Sequence, residues 1–242
     1  MTPEQLVEQL KQALGDRLRS VVLYGSATTG EFLPGVSNYN LLIIADRFDV
    51  ATLTDLAATV SRWVRDGHRP PLLFTPGQLE ASVDSFPIEL LDIQQSRQVL
   101  FGADPVAKLH ISPEHLRLQL EREFKGKLLA LREGYLLAGG KPRHVVAVLT
   151  STLSGVLVVF RAALRLFRKS VPASKLDALR LLADQVDFDP EPWLTVEALK
   201  RESRSLRRID VNGLFESCLQ VLEQVSAAVD RHLHPSEEKV EP

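Results

Sequence analysis

An α+β unit followed by an all-helical bundle is the fold class that the 242-residue sequence predicts. Three observations carry it. Two short apolar runs, Val21-Val22-Leu23-Tyr24 and Leu41-Leu42-Ile43-Ile44, have strand character and fall within the first 50 residues, among segments of helical apolar spacing. After Asp104-Pro105 the apolar period becomes helical throughout. Charge is partitioned along the same lines: residues 1–111 carry a net −4, residues 112–182 a net +8 and residues 183–242 a net −6, within a total of −2.

Taken in order, Thr2 is a helix cap with Pro3 at the first helical position, and Leu6, Leu10 and Leu14 repeat on one face until Gly15 stops the helix. The run Val21 to Tyr24 ends at Gly25-Ser26, and a Gly/Thr/Pro-rich loop leads to Leu41-Leu42-Ile43-Ile44, whose unbroken apolarity reads as a strand buried on both faces. Residues 50–66 read as a helix with Leu53, Leu56, Ala57, Val60 and Val64 on one face, closed by Gly67. Leu72-Leu73-Phe74 is a third strand, and a short helix spans Ile88 to Ser96. Ser112-Pro113-Glu114 starts a long helix to about Ala138, and Gly139-Gly140 breaks it. A second long helix covers residues 142–167, and shorter ones fit 173–185, 192–205 and 210–233. The last carries the stripe Leu214, Cys218, Leu222, Val225 and Val229, which makes Cys218 a core residue. The expected domains are 1–108 and 109–234, with a polar tail from 235 to 242.

Composition excludes several classes. A hydrophobic share of 45% with 25% charged residues is the globular mix, so disorder is not the main state. A single cysteine excludes an internal disulfide framework and a cysteine-built zinc site, and it fits a cytoplasmic location. The polar N-terminus has no apolar signal core. The longest uncharged stretch, Val145 to Phe160, is shorter than the ~20 residues of a membrane span and reads as the buried central helix of the bundle.

The segment from Leu23 through Gly25-Ser26 to Asn38-Tyr39-Asn40-Leu41-Leu42-Ile43 resembles the nucleotidyltransferase signature of the DNA polymerase β superfamily: an apolar strand, Gly-Ser, about a dozen residues, then Asp-x-Asp opening the next strand. Eleven residues separate Ser26 from Asn38, and Ser37 matches the serine that often precedes the first acid. Phe86-Pro87-Ile88-Glu89-Leu90-Leu91-Asp92-Ile93 and Val99-Leu100-Phe101-Gly102-Ala103-Asp104-Pro105 are similar to later segments of small stand-alone bacterial members. The likeness covers roughly residues 5–105, and a helical domain after such a unit is similar to the arrangement in aminoglycoside nucleotidyltransferases. The resemblance implies a small mixed sheet with flanking helices, a Gly-Ser turn at nucleotide phosphates, and acids that hold two Mg²⁺ ions around the α-phosphate.

The departures decide the functional expectation. Asn38 and Asn40 stand where the family has aspartates, and the strand Pro71 to Thr75 offers no carboxylate for the third. An amide oxygen ligates Mg²⁺ but adds no negative charge. Asp46 and Asp49 lie at the far end of the same strand, about 20 Å away. Glu31 in the loop, or Asp84, Glu89 and Asp92 later, are the remaining acids that would rebuild a metal site. Gly25 and Ser26 leave two readings open: a phosphate-binding turn without transfer chemistry, or a tight turn that the sheet requires. Asn38 and Asn40 are equally open, as degenerate motif positions or as turn residues with local hydrogen bonds.

Other signals are weaker. Gly134 to Pro142 misses the P-loop pattern by one position and ends a helix, so it reads as a helix–helix connection. The basic run Lys200 to Arg208 has no interleaved aromatics and reads as a solvated helix end. Arg161 and Arg165, spaced i, i+4, are the better phosphate candidates. Arg62 and His68 have the spacing of a helical ribonuclease motif but fall in the α/β part. The six histidines show no metal-binding spacing. The expectation is a degenerate nucleotidyltransferase-fold protein with no catalytic residue. Its candidate binding residues are Gly25, Ser26, Arg161 and Arg165. It needs no metal or other cofactor, and acts as a nucleotide-sensing or protein-binding module without nucleic-acid or membrane partners. Two alternatives stand beside it: an active Mg²⁺-dependent transferase with displaced acids, and a structural subunit whose helix 142–167 forms a homodimer.

Overall fold

The computed structural model describes residues 1–28, 38–168, 170–202 and 209–232. Contacts divide the chain into two compact units, Met1–Ser112 and Pro113–Pro242. The first is a small mixed sheet with helices on both faces, and the second is built of helices, as the α+β expectation requires.

The first unit opens with α1 (Pro3–Leu14). Thr2 and Gln5 cap it reciprocally, each side chain accepting from the other's backbone N–H. Strand β1 (Leu18–Tyr24) follows, then a single 3₁₀ turn over Gly25–Thr28, and then β2 (Asn40–Ala45). The rest of the unit is α2 (Val50–Arg65), β3 (Leu72–Phe74), α3 (Pro76–Ala81), α4 (Pro87–Gln95) and β4 (Arg97–Gly102). The strand order is β3-β2-β1-β4, with β1 antiparallel to both neighbours and β2 parallel to β3.

Side-chain alternation gives the sheet two cores. Val21, Leu23, Leu41, Ile43 and Ala45 pack with Leu6, Leu10 and Leu14 of α1 and with Leu56 and Trp63 of α2. Val22, Leu42 and Ile44 pack on the other face with Leu79, Leu90, Ile93 and Val106. The apolar runs are unbroken because both faces are covered.

Two local readings need correction, and one strand goes unread in the sequence. The buried face of α2 is Thr52, Leu56 and Trp63, while Leu53 and Val64 are exposed. Trp63 sets that face, and Thr52 is tolerated there because Arg17 donates to its hydroxyl at 3.2 Å. On the last helix Phe215 takes the buried place expected of Leu214. The segment Arg97 to Gly102 is a strand, β4, at the sheet edge. The register slips between Val21 and Val22, which leaves Leu100 as an extra residue in β4. Gly102 closes the strand at φ +74°, and a Cβ there would lie 2.0 Å from the Arg19 carbonyl oxygen. Both constraints demand glycine.

The second unit contains α5 (Pro113–Ala138), α6 (Pro142–Phe167), α7 (Lys175–Val186), α8 (Glu191–Glu202) and α9 (Val211–His232). Helix α6 packs against the other four. It is, among the described residues, the one helix long and apolar enough to cross a membrane by length and composition. Its apolar face is nonetheless taken up inside the unit by Val145, Leu149, Leu153, Val156 and Phe160. Phe160 sits about 6 Å from the rings of Phe124, Phe188 and Trp193. Gly139 and Gly140, both at positive φ, make the connection from α5 to α6 that the Gly134 to Pro142 segment predicts.

Gly102→Ala should destabilise the fold by about 3 kcal/mol or more, since strain and a backbone clash coincide. Gly67→Ala, at φ +93° with open space around it, should cost only about 1 kcal/mol. Denaturant midpoints of the two variants separate clash from strain. Burial pushes the Cys218 thiol up to about 12. Its reaction with a disulfide reagent at pH 8 should therefore be negligible in the native protein and prompt in denaturant, and fast native labelling would contradict the core assignment.

Candidate functional site

The turn after β1 is where the sequence motif and the fold meet. Tyr24 ends the strand opposite Asn40, the first residue of β2. Gly25 then takes φ +82°, which turns the chain away from the sheet. Its N–H donates to the Ser96 carbonyl at 3.0 Å, joining the turn to the end of α4. The Thr28 hydroxyl donates back to the Gly25 carbonyl at 2.9 Å. A Cβ on Gly25 would come within 3.0 Å of Asn40 Nδ2. The backbone favours glycine there, and a Cβ would press on the Asn40 amide.

Asn38 and Asn40 flank Tyr39, which packs towards α2. Its ring lies 6.0 Å from Trp63 and 5.0 Å from His68. The Trp63 indole N–H donates to the Arg69 carbonyl at 2.9 Å, fixing the far side of that cluster. Strand alternation then places Asn40 on the other sheet face, with Tyr24, Val22 and Leu42. Asn38 is exposed and Asn40 half-buried.

The face shared by Asn40 and Tyr24 carries the local electrostatics. Burial pushes the Tyr24 phenol up to about 12, with Arg69 opposing and Glu89 and Asp92 adding to the shift. Glu89 and Asp92, spaced i, i+3 on α4, are therefore the carboxylates that the fold brings near the turn. Sequence alone names them without placing them, and the register of α4 supplies the placement. Tyr24 and Arg69 carry no sequence signal beyond their positions at element ends. Asp46 is engaged elsewhere, accepting from Arg19 at 2.9 Å, and Asp49 caps α2 through Thr52 N–H at 2.8 Å. The Ser85 hydroxyl donates to Asp84 at 2.9 Å. Glu31 lies outside the described residues, as does the side chain of Ser26.

Thus Gly25 and Asn40 are brought together, with Ser26 next in the turn. Arg161 and Arg165 belong to the second unit, on α6. Arg161 donates to the Ala173 carbonyl at 2.8 Å, a bond that ties α6 to the segment before α7. The donor set at the turn does not fit the Mg²⁺ pair that the resemblance implies. Asn38 and Asn40 bring no charge, and β3 presents only Leu72, Leu73 and Phe74. Among the described residues no three His, Cys, Asp or Glu side chains gather to hold a metal ion.

Since the neutral phenol is the form that folding favours, the stability due to Tyr24 is complete below about pH 10 and is lost as pH rises through about 12. Tyr24→Phe should abolish that portion of the alkaline transition and remove a phenolate absorbance step near pH 12, which spectrophotometric titration reads directly.

No family model matches the chain, and no curated protein sequence matches it. Among solved structures it is similar to a spectinomycin adenyltransferase from Enterococcus faecialis, crystallised with ATP and spectinomycin. That likeness has a TM-score of 0.57 at 12% sequence identity and covers 92% of this chain and 100% of the other. The shared feature is the fold: a nucleotidyltransferase-like α+β architecture with a helical C-terminal region.

Proposed function

We propose that this chain is a nucleotidyltransferase-fold protein without transfer chemistry, which binds a nucleotide through its phosphates and serves as a sensing module. The observation that carries the reading is the Asn40 amide packed against Gly25, at the position from which the resembling family presents a metal-binding acid. Replacing carboxylate by amide has two consequences. It removes the charge that holds Mg²⁺, and with it the electrostatic term that dominates phosphoryl chemistry. It also adds an N–H donor where a carboxylate offers acceptors only. A phosphate that would be repelled by two bare aspartates meets an uncharged amide donor at Asn40 instead. The fold it shares with an adenyltransferase solved with ATP supports a nucleotide as the ligand.

Calorimetric titration with ATP, in Mg²⁺ and again in EDTA, tests this. Binding of similar strength in both buffers is expected, weakened about tenfold by Ser26→Ala. Asn40→Asp should abolish binding in EDTA, because the new carboxylate repels phosphate. Binding by the natural chain that requires Mg²⁺ would overturn the proposal in favour of a transferase with displaced acids. An absence of heat in both buffers would overturn it in favour of a protein-binding role.

A further inference from the structure

We propose that α5 is a homodimer interface, on which a second copy of the chain docks antiparallel about a two-fold axis. Four of the eight large apolar side chains exposed among the described residues lie on this one helix: Leu118 at 53%, Leu129 at 65%, Leu136 at 78% and Leu137 at 82%. Helical spacing gathers them. Leu118, Leu129 and Leu136 are 11 and 7 residues apart, three and two turns, so they form one stripe, from which Leu137 projects about 100° round the helix. The buried residues of α5, Leu120, Phe124 and Leu131 among them, occupy the opposite side. An amphipathic helix with two apolar faces is asking for two partners, and the bundle covers only one.

Charge selects the occupant. Arg122 and Glu133 lie within the same exposed stripe, and neither has a hydrogen-bond or ion-pair partner among the described residues. In an antiparallel pair with its two-fold axis between Lys127 and Leu128, residue Arg122 comes level with the partner subunit's Glu133, and Glu133 with the partner subunit's Arg122. The same register sets Leu118 against the partner subunit's Leu136 and Leu137. It sets Leu129 over the partner subunit's Gly126, where the absence of a side chain admits close approach. Beside Gly126 runs a groove of about 440 Å³ lined by Ala130, Ser151 and Gly155 and by the Glu123–Lys127 ion pair, so the incoming leucine rests on Gly126 at the groove's rim. Beside Leu136 opens a cleft of about 580 Å³ with an apolar floor of Tyr135, Phe215 and Leu219 and a charged rim of Arg132, Asp210 and Glu216, in reach of the partner subunit's Leu118. A two-fold interface must be self-complementary, and this stripe is so in both apolar and charged positions. An unrelated partner has no reason to match that symmetry. The apolar face of α6, the helix that sequence alone suggests for dimerisation, is occupied within the unit. This interface uses none of the residues of the nucleotide reading.

Sedimentation of the full chain across a concentration series tests the proposal. A dimer is expected, dissociating at about micromolar concentration. Leu129→Glu should leave the thermal unfolding of the monomer unchanged, because the side chain is exposed, and should weaken association at least about a hundredfold. The charge pair gives a register-specific readout. Arg122→Glu alone places acid against acid, and Glu133→Arg alone places base against base, so each variant should weaken its own dimer about tenfold or more. Mixed together, the two variants restore both pairs and should form a heterodimer about as stable as the natural dimer. A natural chain that stays monomeric to about 100 µM would overturn the proposal, as would a dimer indifferent to Leu129→Glu, or two charge variants that fail to pair with each other.

Discussion

The antiparallel pairing of β1 with both β2 and β4 is the constraint on which the first unit rests. The apolar residues of β1 and β2, Val21 to Leu23 and Leu41 to Ala45, point to both faces of the sheet, so neither face can be left to water. Helices must then cover both faces, and they do: α1 and α2 on one, α3 and α4 on the other. The two-sided burial also fixes register, because a slip of one residue would exchange the two cores. Where the register does slip, at Leu100, the extra residue is absorbed on the edge strand and closed by a glycine that nothing larger can replace.

The candidate site follows from this pairing. Because Tyr24 and Asn40 are opposite one another at the end of the β1–β2 ladder, the turn at Gly25 and the start of β2 are neighbours although the loop between them is long in sequence. The sheet thus juxtaposes the Gly25 turn with Asn40 at the start of β2. The Asn40 amide lies against Gly25 and brings no charge to the turn.

Legibility varied with how completely an element is buried. The runs Val21 to Tyr24 and Leu41 to Ile44 were readable as strands because burial on both faces leaves no polar residue to interrupt them. The cap at Thr2, and the stop at Gly139-Gly140, were readable because backbone donors and positive φ demand particular residue types. Strand β4 was not, because an edge strand half open to solvent lacks either periodic signal. The face of α2 was misjudged because one large residue, Trp63, outweighed several small apolar ones in deciding which side turned inward. At the site, Gly25, Asn38 and Asn40 could be named from spacing, whereas the approach of Glu89 and Asp92 to Tyr24 depends on how α4 lies on the sheet.

By itself, then, the sequence determined the order and type of most elements, the partition into a mixed-sheet half and a helical half, and the uncharged amides at Asn38 and Asn40. These are local properties, set by periodicity, capping and residue identity. Tertiary structure alone decided which helix faces are covered, which acids reach the turn, and that α5 is left with an apolar stripe while the more apolar α6 is not. Those outcomes depend on contacts between residues far apart in the chain, and a helix with apolar residues on two sides does not announce which side its neighbours will take.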